Sequence, residues 1–295
     1  MSEALHRLPP WVAERSRSLA AGDALKRRLR RQTLVTVCEE ARCPNLGECF
    51  SRGTATFMLL GDRCTRRCSF CSVDTGRPAP PDPDEPRRVA EAAAGLGLGY
   101  VVVTSVARDD LADEGAGQFV ATIAALGQAI DGVEVEVLVP DLGGRPELIA
   151  TVVEARPEVF GHNLETVERL TGEVRGRARY SRSLSVLETA AGLPGASLIK
   201  TGLMAGLGET RAELSRTMAD AAATGCRLLT VGQYLRPTRR HRPVARYLEP
   251  AEFEEIAAEA RQLGFQEVAA GPMVRSSYRA ESLYRGDEGT GASLQ

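Results

Sequence analysis

Lysine is nearly missing from this chain: of 37 basic residues only Lys26 and Lys200 are lysines, and the rest are arginine. With a formal net charge of −2, this skew gives no general attraction for nucleic acid, which needs a basic excess. It reads as a compositional bias. The run DALKRRLRRQ starting at Asp23 accordingly reads as a solvated helix face. Long apolar runs are also missing. None approaches the roughly 20 residues that span a bilayer, and the first thirty residues lack the apolar core of a secretory signal. The expectation is a cytoplasmic protein with no nucleic-acid partner and no membrane partner. Histidine is scarce as well. His6, His162 and His241 are the only three, and no Ser–His–Asp pattern accompanies them, which argues against ordinary acid–base or serine chemistry.

Cysteine is present, and it is crowded. Six of seven cysteines fall between positions 38 and 71. Such clustering in a cytosolic chain points to metal ligation rather than a disulfide framework. The spacings are Cys38-x4-Cys43-x5-Cys49 in CEEARCPNLGEC and Cys64-x3-Cys68-x2-Cys71 in CTRRCSFC. Structural zinc wants closed sites with four ligands, and six thiolates fill one such site with two to spare. A [4Fe–4S] cube instead takes one outside ligand per iron, so three cysteines leave one corner open. An open position marks a catalytic metal site.

The 295 residues suffice for one large α/β domain or two ordinary ones. Residues 1–55 have weak periodicity and read as an irregular N-terminal extension. Beyond them FMLL (57–60), YVVVTSV (100–106), VEVEVLVP (133–140), EVFGHN (158–163), SLIKTGLM (197–204) and LLTVGQYL (228–235) are strand candidates. They alternate with amphipathic stretches near 86–96, 117–130, 145–155, 183–191 and 209–223, and a helix over 250–263 opens at Pro250. The alternation implies a parallel sheet, either doubly wound or an incomplete barrel, with its chemistry at the carboxyl ends of the strands. The proline-rich TGRPAPPDPDEP (75–86) reads as an extended connection.

Lesser motifs need their plainer readings. GLGLGY (95–100) precedes its strand, so it is a helix C-cap and turn rather than a dinucleotide loop. GLGET (206–210) follows a strand and opens a helix, as an anion-binding loop does. His162 reads as a packed histidine and Cys226 as a small buried hydrophobe.

The second triplet, with Phe70 before its last cysteine and a strand before its first, resembles the radical S-adenosylmethionine superfamily. The first triplet narrows the resemblance to the lipoyl synthase family, and TSVARDDL, HNLETV, GQYLRP and VRSSY (274–278) extend it over nearly the whole chain. The sequence departs from the family at Glu114, where a second glycine is usual, and near Gln118. The resemblance implies an α/β fold, a partial (β/α)6 barrel over 56–240 with extensions at 1–55 and 241–295.

It further implies two [4Fe–4S] clusters and S-adenosyl-L-methionine. Cys64, Cys68 and Cys71 would hold the cluster whose open corner binds S-adenosylmethionine, the source of a 5'-deoxyadenosyl radical. Cys38, Cys43 and Cys49 would hold an auxiliary cluster, completed by Ser277 rather than Ser276 and spent as the sulfur donor. Thr104, Asn163, Glu165 and Arg182 match S-adenosylmethionine contacts, with Glu165 suited to the ribose diol and Arg182 to the carboxylate. Arg275 would position Ser277 or contact substrate. The implied reaction inserts two sulfurs, at carbons 6 and 8, into an octanoyl chain on a lysine of a lipoyl-carrier protein. Such carriers are lipoyl domains of 2-oxoacid dehydrogenase complexes and the glycine cleavage H protein. An electron donor such as flavodoxin or ferredoxin and an iron–sulfur cluster carrier would serve it. Rival readings are a sulfur-inserting enzyme acting on dethiobiotin or a tRNA base, and a non-enzymatic iron–sulfur or zinc protein.

Overall fold

The computed structural model describes residues 9–13, 23–43, 45–51, 56–195 and 197–286. Ten strands occur among them: β1 (Val35–Thr36), β2 (Thr56–Leu59), β3 (Arg63–Cys64), β4 (Asp74–Thr75), β5 (Tyr100–Ser105), β6 (Glu134–Leu138), β7 (Val159–Gly161), β8 (Leu198–Ala205), β9 (Leu228–Gln233) and β10 (Glu267–Gly271). The main sheet runs β1-β2-β5-β6-β7-β8-β9-β10. Every neighbour pair in it is parallel except β1 with β2. A doubly wound sheet reverses its strand order at a switch point. This one never does, so each crossover advances the same way and the sheet rolls into an open, partial barrel.

All six sequence-expected strands form, and so do the six expected helices, at Glu85–Leu96, Ala116–Ala129, Pro146–Glu154, Tyr180–Ala191, Arg211–Ala223 and Pro250–Gln262. Thr210 and Glu213 form a capping box, and Pro250 stands at the start of its helix beside Glu249 and Glu252. Gly97 ends the first helix at φ +68, as the C-cap reading of GLGLGY requires. The GLGET loop is an anion site already filled by its own chain, because Gly206 and Leu207 N–H groups donate to the Glu209 carboxylate.

The N-terminal segment is less irregular than its sequence suggests. It contributes the helices Asp23–Arg31, Val37–Glu40 and Leu46–Ser51, and β1 joins the main sheet. In the first of these, Leu25 and Leu29 are buried while Arg27, Arg30 and Arg31 are exposed, which makes the arginine run a solvated face. β10, spelled EVAAG, escaped sequence reading because alanine and glycine carry little strand preference. The helix Glu168–Arg175, ERLTGEVR, was missed because only Leu170 and Val174, one turn apart, mark its buried side.

Alternate strand residues face opposite ways. Val101, Val103, Val137, Phe160, Ile199, Leu229 and Val231 pack outward into the principal core. Inward, Tyr100, Val102, Val159, Leu228 and Ala269 meet Val274, Ala280 and Leu283 of the C-terminal segment, giving the barrel an apolar floor. Above it lies a buried ion pair between Lys200 Nζ and Glu136 (2.7 Å), to which the Tyr100 hydroxyl also donates (2.7 Å). Removing either charge would strand the other, at a cost of about 3–5 kcal/mol.

His162, just past β7, is enclosed. Its Nδ1 lies 3.0 Å from the Val139 carbonyl and its Nε2 2.9 Å from Ser183 Oγ. A carbonyl only accepts, so Nδ1 carries the proton and Nε2 accepts from the hydroxyl, which in turn accepts from Arg175 (2.8 Å). Burial, aided by the Arg175 charge, pushes His162 from 6.5 down to about 4. As pH falls the unfolded chain therefore binds a proton that the folded chain refuses, and stability drops between about pH 6.5 and pH 4. His162→Asn keeps a donor toward Val139 and does not titrate. Thermal unfolding of wild type should fall more steeply than that of the variant across this window, by up to about 3 kcal/mol; parallel pH slopes would refute the assignment.

Candidate active site

The cysteine loop leaves β2 through Leu60 and Gly61, both at positive φ. The Leu60 N–H is held by both Glu85 carboxylate oxygens, which fixes where the chain turns over the barrel mouth. β3 and β4 pair Cys64 with Thr75 and so close the loop at its base. The rest is stitched to three neighbouring segments. Thr65 donates to the Ala107 carbonyl (2.9 Å), Ser69 N–H to Val174 (2.8 Å), and Arg242 N–H to the Ser69 carbonyl (2.9 Å). His241 Nε2 donates to the Cys71 carbonyl (3.0 Å).

Arg66, between the first two cysteines, is buried and clamped by Asp109 (2.6 Å) and Asp141 (2.6 Å). Burial alone would weaken its charge, but the two carboxylates hold its pKa above the usual arginine range. Asp141 is conversely held at about 2, Arg66 outweighing the cost of burial.

A cavity of about 170 Å³ opens against this loop at the carboxyl ends of β5 to β7, lined by Cys64, Cys68, Thr104, Asn163 and Glu165 among others. Three of the four sequence-expected contacts for a sulfonium ligand thus share one wall. Thr104 Oγ1 donates to the Leu138 carbonyl (2.8 Å). The Asn163 amide donates to Glu165 (3.0 Å) and to Ser276 Oγ (2.6 Å). Glu165 sits at φ +65, and its N–H and carbonyl bond to β8 at Gly202 and Met204. Strain of this kind in a non-glycine residue collects at functional sites. Burial raises its carboxyl pKa, against the opposing pull of Arg175, Asn163 and Arg275. The fourth contact, Arg182, lies elsewhere. It lines the adjoining cavity and is paired with Asp141 at 3.3 Å.

The first triplet stands on the short helix Val37–Glu40, capped by Thr36, and on Leu46–Ser51. Cys43 N–H donates to the Cys38 carbonyl and Cys49 N–H to that of Asn45. This segment is clasped to the C-terminal one. The Asn45 amide donates to the Met273 carbonyl (2.6 Å), the Tyr278 hydroxyl to Glu48 (3.1 Å), and Arg279 reaches Glu48 at 3.4 Å. VRSSY and the first triplet are therefore neighbours across 228 residues of sequence. Of the two serines, Ser276 turns toward Asn163. Arg275 lies deep, with the Cys43 thiol and Glu165 as its facing acidic groups.

The thiols suit a metal cluster. Burial lifts Cys68 to about 11 and Cys71 to about 12, and mutual repulsion among the three thiols adds to it. Burial, then Cys43, lifts Cys38 to about 11. Deprotonating crowded, buried thiols needs a cation, and metal binding releases those protons. Among the described residues no three His, Cys, Asp or Glu side chains converge on one ion. Cys226 is fully buried, with its sulfur against the Ile199 and Leu228 carbonyls, and stays outside both sites.

Sequence reasoning passed over Arg66, Asp141, Arg175 and Asn45. Arg66 and Asn45 did carry a positional signal, each lying between two cysteines of a triplet, and Asp141 stands shortly after β6; Arg175 carried none. The departure at Glu114 has a backbone counterpart, since Glu114 lies at φ +48, where glycine is unstrained.

A family model described as the radical SAM superfamily matches residues 58–221. The chain is 54% identical over 283 residues to a lipoyl synthase of Acidothermus cellulolyticus, covering 95% of this chain and 86% of that one. A lipoyl synthase of Methylococcus capsulatus is 52% identical over 280 residues, covering 93% and 86%. One of Mycobacterium avium is 50% identical over 283 residues, covering 95% and 91%. Among solved structures the fold is similar to methylornithine synthase, with a TM-score of 0.56 at 13% identity over 72% of this chain and 64% of that one, just under two thirds of its length. A maturase of the [FeFe]-hydrogenase gives 0.58 at 14% identity over 92% and 68%. With half of its residues shared across nearly its full length and two cysteine triplets on a partial barrel, the chain belongs to the lipoyl synthase family of radical S-adenosylmethionine enzymes.

Proposed function

We propose that this enzyme converts an octanoyl group, carried on a lysine of a lipoyl-carrier protein, into a lipoyl group by inserting sulfur at carbons 6 and 8. One observation carries the reading: the first cysteine triplet and VRSSY, at opposite ends of the chain, are clasped together through Asn45–Met273 and Glu48–Tyr278 beside the cavity that Cys64 and Cys68 line. The reading assigns one [4Fe–4S] cluster to Cys64, Cys68 and Cys71 with a corner left for S-adenosylmethionine. It assigns a second to Cys38, Cys43, Cys49 and Ser277. When bound, these groups supply the radical that removes hydrogen from an unactivated chain and the sulfur that replaces it.

The chain's own residues bind and exclude water. Glu165, held by Asn163, presents acceptors for the ribose diol, and Thr104 and Asn163 offer hydrogen bonds to the remainder of S-adenosylmethionine. Arg182, which keeps one guanidinium nitrogen on Asp141 (3.3 Å), has further N–H donors to offer its carboxylate. No side chain acts as acid or base at the reacting carbons, and the buried, neutral His162 fits that. The proposal extends to octanoylated lipoyl domains and glycine cleavage H protein as substrates. It includes a flavodoxin or ferredoxin as electron donor, an iron–sulfur cluster carrier, a cytoplasmic location, and the division into 1–55, 56–240 and 241–295. Among the described residues no helix is long and apolar enough to cross a membrane.

Anaerobic reconstitution should give about eight irons per chain, and turnover with an octanoyl-lysine peptide should add the mass of two sulfurs. A protein that takes up stoichiometric zinc and never turns brown would sink the reading. The two serines should separate. Ser277→Ala is expected to keep S-adenosylmethionine cleavage and lose lipoyl product. Ser276→Ala, which frees Asn163 from its bond, is expected to raise KM for S-adenosylmethionine. Normal lipoyl yield from Ser277→Ala would remove that residue from the ligand set.

A further inference from the structure

We propose that the arginine-lined cavity beside the cysteine pocket receives acidic side chains that flank the acylated lysine of the carrier protein, an inference that rests on the function proposed above. The cavity measures about 530 Å³ and is lined by Arg66, Asp109, Gly176, Arg177, Ala178, Arg179 and Arg182. Four guanidinium groups thus face one carboxylate. That carboxylate is already committed, because Asp109 is held by Arg66 (2.6 Å) and accepts from Thr65 Oγ1 (2.5 Å). Arg66 and Arg182 are paired with Asp141. The two outer arginines are not balanced. Arg177, 72% exposed, has Asp109 as its nearest carboxylate at 3.8 Å, and the exposed Arg179 has no carboxylate partner among the described residues.

The backbone adds to the same field. The helix Tyr180–Ala191 begins at this wall with no side-chain cap and no acidic residue in its first turn, leaving the positive end of its dipole uncompensated.

Position selects the occupant. The cavity shares Arg66 and Ala178 with the pocket that holds Cys64, Cys68 and Glu165, so whatever fills it lies next to the reacting chain. A lysine presented by a folded protein brings its neighbours along, and they must rest on the rim beside the pocket. The free carboxylate of S-adenosylmethionine needs one guanidinium fork. Two further unbalanced arginines on an open rim match a surface carrying several negative charges, and such complementarity guides docking and orientation.

The test compares an octanoyl-lysine peptide with Asp and Glu beside the lysine against the same peptide with Asn and Gln. It uses reconstituted wild type and the double variant R177E/R179E, at low and high salt. In the double variant KM for the acidic peptide should rise roughly tenfold at low salt, with kcat and KM for the neutral peptide within about twofold. The wild-type preference for the acidic peptide should fade as salt screens it. Equal KM values for both peptides in wild type would overturn the inference. So would a double variant whose KM rises for S-adenosylmethionine alone, because the cavity would then serve the co-substrate. Iron content checks folding, and Arg179→Gln replaces the double variant if iron is lost. Should wild type add no sulfur to either peptide, the proposed function falls, while fluorescence-anisotropy binding of the two peptides still decides the role of the cavity.

Discussion

Close approach of the C-terminal segment to the inside of the barrel is the constraint on which the rest depends. Gly232 on β9 has no room for a side chain: a Cβ there would lie 2.1 Å from the Val274 carbonyl oxygen. Gly202 on β8 is equally tight, with Asn163, Ser276 and Thr230 oxygens all within 2.9 Å of the position a Cβ would take. Two glycines on adjacent strands therefore make a slot that VRSSY enters. Once it is seated, Met273 is placed for Asn45 and Tyr278 for Glu48, and the first cysteine triplet is drawn to the barrel mouth. The same insertion turns Ser276 onto Asn163. Both candidate sites thus share one mechanical origin, and loosening the slot would disturb both.

Charge is arranged around that slot by strict pairing inside and imbalance outside. Arg66 is buried only because Asp109 and Asp141 meet it on two sides, and Lys200 only because Glu136 does. An unpaired buried charge is too costly to keep. Arg175 and Arg275 are the instructive exceptions. Both face Glu165, and burial lowers both. Two cations sharing one carboxylate next to the thiols leave positive charge to spare, which offsets the negative charge of anionic thiolate clusters where water is scarce.

Much of the fold was legible in the sequence because parallel strands buried on both faces give continuous apolar runs, and six of them stood clear of their helices. β10 and the helix Glu168–Arg175 were illegible for opposite reasons, one too rich in alanine and glycine, the other too charged. The order of the strands, which separates a rolled sheet from a doubly wound one, leaves no local trace. Within the site the cysteines were legible because their spacing is itself the signal. Arg182 shows the limit: its motif suggested a ligand contact, yet long-range pairing with Asp141 decides where its side chain rests.

The partial barrel also explains how one chain can keep a space at its centre. A closed eight-stranded barrel fills its interior with side chains. Here the floor is built from Val159, Leu228, Ala269 and the inserted Val274 and Leu283. The layer above is polar, with Glu136 satisfied by both Lys200 and Tyr100. Above that, inward glycines at 161, 202 and 232 contribute no side chain at all. The inserted segment occupies part of the space they leave, and the cavity is the remainder. A larger residue at position 202 or 232 competes with the segment for the same volume, so the cavity and the clasp cannot be altered independently. That coupling ties the C-terminal segment to the candidate site, where the resemblance carried by VRSSY also puts it.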